Sequence, residues 1–151
     1  EVNVLTDFEA VSTLSLPQLQ AGGSGTDLGG AIARGIQESK ARRDHLLALG
    51  SEVHRPWIVC ITDGMPNVNS HPGFETELID LVTGRKIHFL PVAVGGRDSY
   101  EVLERLSPAQ KPVVIDPGAA QGASFRQYFE TLSSQMASGT WRGILRPGTS
   151  G

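Results

Sequence analysis

The stretch Ile58-Val59-Cys60-Ile61-Thr62-Asp63-Gly64 constrains the fold more than any other part of this chain. A run of apolar, β-favouring residues ends in an acid and a glycine. That is the pattern of a buried parallel strand delivering a carboxylate to the top of a sheet. In open α/β sheets, ligands bind just beyond the carboxyl ends of strands, near the point where strand order reverses, so Asp63 is a candidate site residue. Upstream, Gly22-Gly23-Ser24-Gly25-Thr26-Asp27-Leu28-Gly29 is a glycine-rich loop that runs into a helix start and presents a hydroxyl. A hydroxyl and a carboxylate on neighbouring loops, with few basic residues beside them, suit a hard cation held by oxygen atoms.

The elements around these loops follow from periodicity. Residues 1–8 and 11–16 read as two short strands paired through the turn Asp7-Phe8-Glu9-Ala10. Thr26 or Asp27 caps a helix in which Leu28, Ile32 and Ile36 share a face, and Gly50 stops it. Gly35 inside that helix is unfavourable unless something packs closely there. Trp57 to Ile61 is the next strand, followed by a turn-rich loop to Gly73. Phe74, Leu78, Ile79 and Val82 mark a second helix closed by Gly84. Lys86 to Val94 is a strand ending at Gly95-Gly96, and Asp98 or Ser99 caps a short helix. Pro112 to Ile115 is a last strand. In the final helix, residues 124–136, an apolar stripe of Phe125, Tyr128, Phe129, Leu132 and Met136 predicts a core face. The order β-β-α-β-α-β-α-β-α predicts an α/β fold. Its expected form is a three-layer, Rossmann-like, doubly wound and mostly parallel sheet with an antiparallel edge hairpin. Residues 1–138 form the expected domain, and residues 139–151 are a Gly/Pro-rich tail.

Composition removes several function classes. The 151 residues carry a net charge of −3, which gives no general attraction to nucleic acid. One small basic cluster, Lys40, Arg42 and Arg43, falls near a helix C-terminus, where cations suit the helix dipole; a phosphate or partner patch is the alternative reading. No aromatic residues interleave with it, as single-strand binding would require. Cys60 is the only cysteine and reads as a small buried residue rather than a nucleophile. No long apolar run or leader pattern is present, so no membrane role and a cytoplasmic setting are expected. The histidines His45, His54, His71 and His88 lack zinc-like spacing. His88 reads as structural, and His71 as a solvated loop residue at the margin of the site. The Gly23-x-Gly25 start of a dinucleotide fingerprint fails at Leu28, and there is no Gly-Lys-Ser/Thr of a phosphate-binding loop.

Two segments, Gly23-Ser24-Gly25-Thr26-Asp27-Leu28-Gly29-Gly30-Ala31-Ile32 and Ile61-Thr62-Asp63-Gly64-Met65-Pro66-Asn67, make this chain resemble the von Willebrand factor A domain family. The order of elements agrees with that family from Val2 to about Ala137. The resemblance implies a metal-ion-dependent adhesion site above the sheet, holding Mg²⁺, Mn²⁺ or Ca²⁺. Thr26 matches the family's threonine ligand and Asp63 its aspartate in the Thr-Asp-Gly turn. Ser24, Gly25, Gly64 and Met65 would form the rim against a partner, with Gly95-Gly96 beside them. Such a site is non-enzymatic: a partial open coordination sphere engages a carboxylate of a protein partner. Asp27 is read as a helix-start residue rather than an outer-sphere acceptor. Met65 is either an adaptable apolar contact for the partner or packed beneath its own loop.

The chain departs from the family in lacking an Asp-x-Ser-x-Ser segment. The family's first, central strand is expected either upstream of Glu1, which is favoured, or from another polypeptide. Within the family the chain looks most like the bacterial intracellular branch associated with tellurium resistance and stress response. That branch implies an adaptor role with kinase-like or phosphatase-like partners. Two other readings compete. One is a scaffold of the same fold that binds partners without metal. The other, more remote, is a haloacid-dehalogenase-like phosphatase with Asp63 as nucleophile, although Ile61 stands where the Asp-x-Asp-Gly pattern needs an acid.

Overall fold

Leu28, Ile32 and Ile36 recur at every fourth position and are all buried, which anchors helix α1 (Leu28–Ala48) along one face. The computed structural model describes residues 2–10, 12–15, 17–18, 25–118 and 123–138. Along them α1 is followed by β1 (Trp57–Thr62), α2 (Phe74–Thr83), β2 (His88–Val94), α3 (Arg97–Leu106), β3 (Val113–Ile115) and α4 (Ala123–Ser138). The alternation of strands and helices makes this an α/β fold, as the sequence predicts. The chain divides into two compact units, Glu1–Ile58 with Pro66–His88 and Val59–Met65 with Phe89–Gly151.

In the first unit α1 packs on α2. Gly29 makes that approach possible, since a Cβ there would sit 2.8 Å from the Phe74 ring. Leu78 faces the same core and is fully buried. Across the helices the Lys40 ammonium reaches Glu77 at 2.8 Å. At Gly35 the site of the missing Cβ lies 4.0 Å from Ile58 Cγ2, an ordinary contact that leaves room for a methyl group, so no close packing there requires glycine.

Apart from Trp57, Ile58 and His88, which belong to the first unit, the sheet lies in the second unit, in strand order β1-β2-β3. β2 and β3 run parallel with Val92 opposite Val113 and Val94 opposite Ile115. The start of β2 lies beside the start of β1, because the His88 N–H donates to the Pro56 carbonyl at 2.9 Å. A helix joins the two strands, the connection that parallel neighbours need. β2 is the central strand, and Phe89 to Ala93 are all buried. Pro91 is tolerated there because the ladder to β3 begins only at Val92.

Three sequence expectations need correction. Residues 2–10 form no strand, and neither do the described residues of 11–16. Val4, Leu5, Phe8 and Leu14 are exposed, and the segment holds only a local turn in which Thr13 N–H donates to Ala10 C=O at 2.9 Å. An isolated two-stranded hairpin is marginal in water without a further strand or helix to cover it, so the antiparallel edge hairpin is absent among the described residues. α3 starts at Arg97 with Gly96 as its cap rather than Asp98 or Ser99. The Ser99 hydroxyl, almost fully buried, donates instead to Gly96 C=O at 2.9 Å. In α4 only Tyr128 and Leu132 of the stripe are buried, while Phe129 and Met136 are exposed. Burial without a partner pushes the Tyr128 hydroxyl up to about 12. The tail, residues 139–151, lies outside the described residues.

Candidate functional site

The helix-start residue of α1 is Asp27. Its carboxylate accepts the Gly30 N–H at 3.0 Å, the N-cap bond that satisfies one of the orphan donors of a first turn. It also accepts from the Ser70 N–H at 3.2 Å and from the Ser70 hydroxyl. These hydrogen bonds, that from the Ser70 hydroxyl foremost, lower the Asp27 pKa below its ordinary value. A carboxylate used this way serves the loop and helix rather than a ligand. Gly30 lacks the Cβ that would collide with this Asp27–Ser70 pair.

Thr26 is held by the neighbouring loop. Its N–H donates to Asn67 Oδ1 at 2.7 Å, and its C=O accepts from the N–H groups of Asn67 at 3.1 Å and Val68 at 3.3 Å. Gly25 is exposed and sits against the same pair, with the site of its missing Cβ 3.0 Å from Val68 Cγ2. The two segments singled out in the sequence are thus joined within the first unit, through Asn67. Neither Asn67 nor Ser70 stood out as a site residue. The signal was available, since both are amide or hydroxyl side chains in a turn-rich loop, the residue types that bond to backbone locally.

Asp63 belongs to the second unit, directly after β1. Thr62 is buried, and its hydroxyl bonds to both ends of the turn: it donates to Gly64 C=O at 3.2 Å and accepts from Gly64 N–H at 3.4 Å. The turn leaves the Asp63 side chain exposed, with no ion pair or hydrogen bond among the described residues. Met65 is 56% exposed, which favours an outward contact over packing beneath its loop. Gly95, at φ 78°, ends β2, and its N–H donates to Ile115 C=O at 2.9 Å. Asp116 follows β3 and accepts from Gly118 N–H at 2.8 Å. The carboxyl edge of the sheet therefore carries a carboxylate at each outer strand, of which only Asp63 is uncommitted among the described residues. Ser24, expected on the rim, lies outside the described residues, and His71 is exposed as expected.

A hard divalent ion wants about six oxygen ligands and keeps waters where side chains are few. Asp63 has the chemistry of one such ligand. Among the described residues no cluster of three or more His, Cys, Asp or Glu side chains stands ready to hold an ion, so any metal at Asp63 would be largely water-coordinated. Cys60 is buried and its thiol is pushed up to about 12 by desolvation, which makes it inert. No described helix is long and apolar enough to cross a membrane. No family model, curated protein or solved structure matches this chain.

Proposed function

We propose that this chain is a non-enzymatic protein-binding module of the von Willebrand factor A type, with the carboxyl edge of its sheet as the contact surface. In this reading a divalent ion, Mg²⁺ or its Mn²⁺ or Ca²⁺ equivalent, is ligated by Asp63 and bridges to a carboxylate of the partner. Met65 adds an apolar contact. One observation carries it: Asp63 is an exposed carboxylate without a partner among the described residues, presented by a turn that Thr62 locks. A carboxylate with no internal role at the carboxyl end of a strand suits ligand binding. The bacterial tellurium-resistance and stress-response adaptors, with kinase-like or phosphatase-like partners in the cytoplasm, are the setting that the sequence resemblance favours.

The test is a Mn²⁺ titration of the whole chain, followed by paramagnetic broadening of backbone NMR signals. Broadening centred on Thr62, Asp63 and Gly64 that disappears in Asp63→Ala supports the reading. Thr26→Ala, made separately, reports whether the first unit supplies the second ligand expected from the sequence. Diffuse broadening that Asp63→Ala leaves unchanged overturns the metal site. Partner binding insensitive to EDTA would then favour the metal-independent scaffold.

A further inference from the structure

A second cleft lies wholly within the first unit. It encloses about 520 Å³ between the second half of α1, the segment before β1 and the end of α2. Lys40, Arg43, Arg55, Arg85 and Lys86 line it, and no acidic residue does among the described residues. The chain has only 13 Lys and Arg residues and a net charge of −3, so five of them converging on one cleft run against its overall charge. The sequence shows only part of this cluster. Arg55, Arg85 and Lys86 are brought to Lys40 and Arg43 by the fold.

Most of this charge is not neutralised internally. Lys40 is paired with Glu77 at 2.8 Å. Arg43 meets Asp44 only at 3.7 Å, with both side chains largely exposed. Arg55, Arg85 and Lys86 have no ion pair among the described residues. Arg55 is close enough to His88 to push that imidazole down, second only to burial. By contrast the other large cleft of this unit, beside Asp27, balances Arg34 and Lys40 against Asp27 and Glu77.

Arg85 adds an independent observation. It is the only described non-glycine residue at positive φ, 55°, a conformation disfavoured for any side chain with a Cβ. It occupies the left-handed position after α2: its N–H donates to Val82 C=O at 3.0 Å, and the Lys86 N–H to Leu81 C=O at 2.8 Å. Glycine is the usual residue at this position of such a cap. Compensation of the helix dipole accounts for one cation here, since a helix C-terminus carries roughly half a negative charge. It does not account for five cations, nor for placing one of them where glycine fits best.

We propose that this cleft is a binding site for a small polyanion bearing two or more phosphate groups. The planar guanidinium forks of Arg43, Arg55 and Arg85 match phosphate oxygens, and Lys40 and Lys86 add compact charge. Val53, Pro56, Leu81 and Ile87 supply apolar surface beside these charges. The site does not depend on the proposal for Asp63.

Calorimetric titration of the whole chain with inorganic pyrophosphate and tripolyphosphate, in EDTA and at two salt concentrations, tests this directly. The expected result is saturable one-to-one binding that weakens as salt rises. Arg55→Gln and Arg85→Gly should each lose tenfold or more in affinity, and Asp63→Ala should bind as the unmodified chain does. Because Arg85→Gly relieves the backbone, its loss of binding comes with unchanged or raised thermal stability and is not explained by unfolding. Absence of saturable binding, or an Arg55→Gln/Arg85→Gly double variant that binds normally, overturns the proposal. So does binding confined to long polyanions such as heparin, without one-to-one stoichiometry.

Discussion

Helices α1 and α2 end in the same way and with different residues. After α1, Gly50 N–H donates to Leu47 C=O at 2.9 Å and Ser51 N–H to Leu46 C=O at 3.0 Å. After α2, Arg85 and Lys86 make the corresponding pair of bonds to Val82 and Leu81. The left-handed residue is Gly50 at φ 75° in the first and Arg85 at φ 55° in the second. The hydrogen bonds satisfy the same orphan carbonyls, so the motif itself is indifferent to the side chain, and only the backbone strain distinguishes the two. At Gly50 nothing lies within 4 Å of where a Cβ would be, and glycine serves the turn alone. At Arg85 the same turn is made in spite of the residue, and the side chain enters the basic cleft. The difference separates a residue that suits the turn's backbone from one that strains it while placing a cation in the cleft.

Exchanging the residues sharpens that contrast. Gly50→Val puts a β-branched residue at a left-handed position, at a cost toward about 2–3 kcal/mol, with no steric clash to confuse the reading. In urea denaturation the midpoint should fall with an unchanged slope. A neutral result would mean that the turn can relax and that strain at Arg85 is equally slight. Gly35→Ala is the control within the same helix. There the backbone is helical and the new Cβ meets Ile58 at an ordinary 4.0 Å, so the chain should gain up to about 1 kcal/mol. Arg85→Gly should be neutral to stabilising. Left-handed strain of roughly 1–2 kcal/mol, less roughly 0.4–1 kcal/mol for the freer unfolded chain, leaves a gain between about 0 and 1.6 kcal/mol. For a chain of this length that is a rise of at most about 6 °C in Tm. If Arg85→Gly is destabilising, the guanidinium has packing value that outweighs strain, and the contrast with Gly50 fails.

The sequence reveals helices better than edges. Apolar spacing located α1 through Leu28, Ile32 and Ile36, and continuous apolar runs located β1 and β2. Gly50 was legible as a stop because glycine and the left-handed position coincide. Gly84 was read the same way for α2, but the left-handed residue is Arg85, a position that propensity assigns to glycine. The opening strands at 1–8 and 11–16 were expected from partial alternation and β-rich composition, which are insufficient where no described neighbouring strand covers the apolar residues. Ile61 shows the same point: the run Ile58–Ile61 reads as a strand covered on both faces, yet as part of the outer strand β1 Ile61 is 42% exposed. Asp63 was legible because strand-then-acid is a local pattern. The roles of Asn67 and Ser70 depend on the approach of two loops about forty residues apart, and the basic cleft on three segments, so neither has a local signature.

His88 gives the smallest and most local test of the cleft's charge. Its imidazole packs edge-on against Trp57 at 5.8 Å between ring centroids. Burial first, and the Arg55 charge second, hold its pKa below 6.5. The neutral form is therefore favoured in the folded state, and the unfolded chain binds the extra proton. Stability from this residue is intact above the ordinary histidine pKa. It declines as pH falls from there toward the lowered folded value, below which the loss is complete. An NMR titration of His88 should show the depressed value in the unmodified chain. Arg55→Gln should move it part of the way back toward 6.5, because burial remains. Pyrophosphate bound in the cleft should move it in the same direction, by neutralising Arg55 without changing a residue. A His88 titration that ignores both changes would show that the Arg55 charge does not reach this imidazole, and the contrast between the two helix ends would then rest on Arg85 alone.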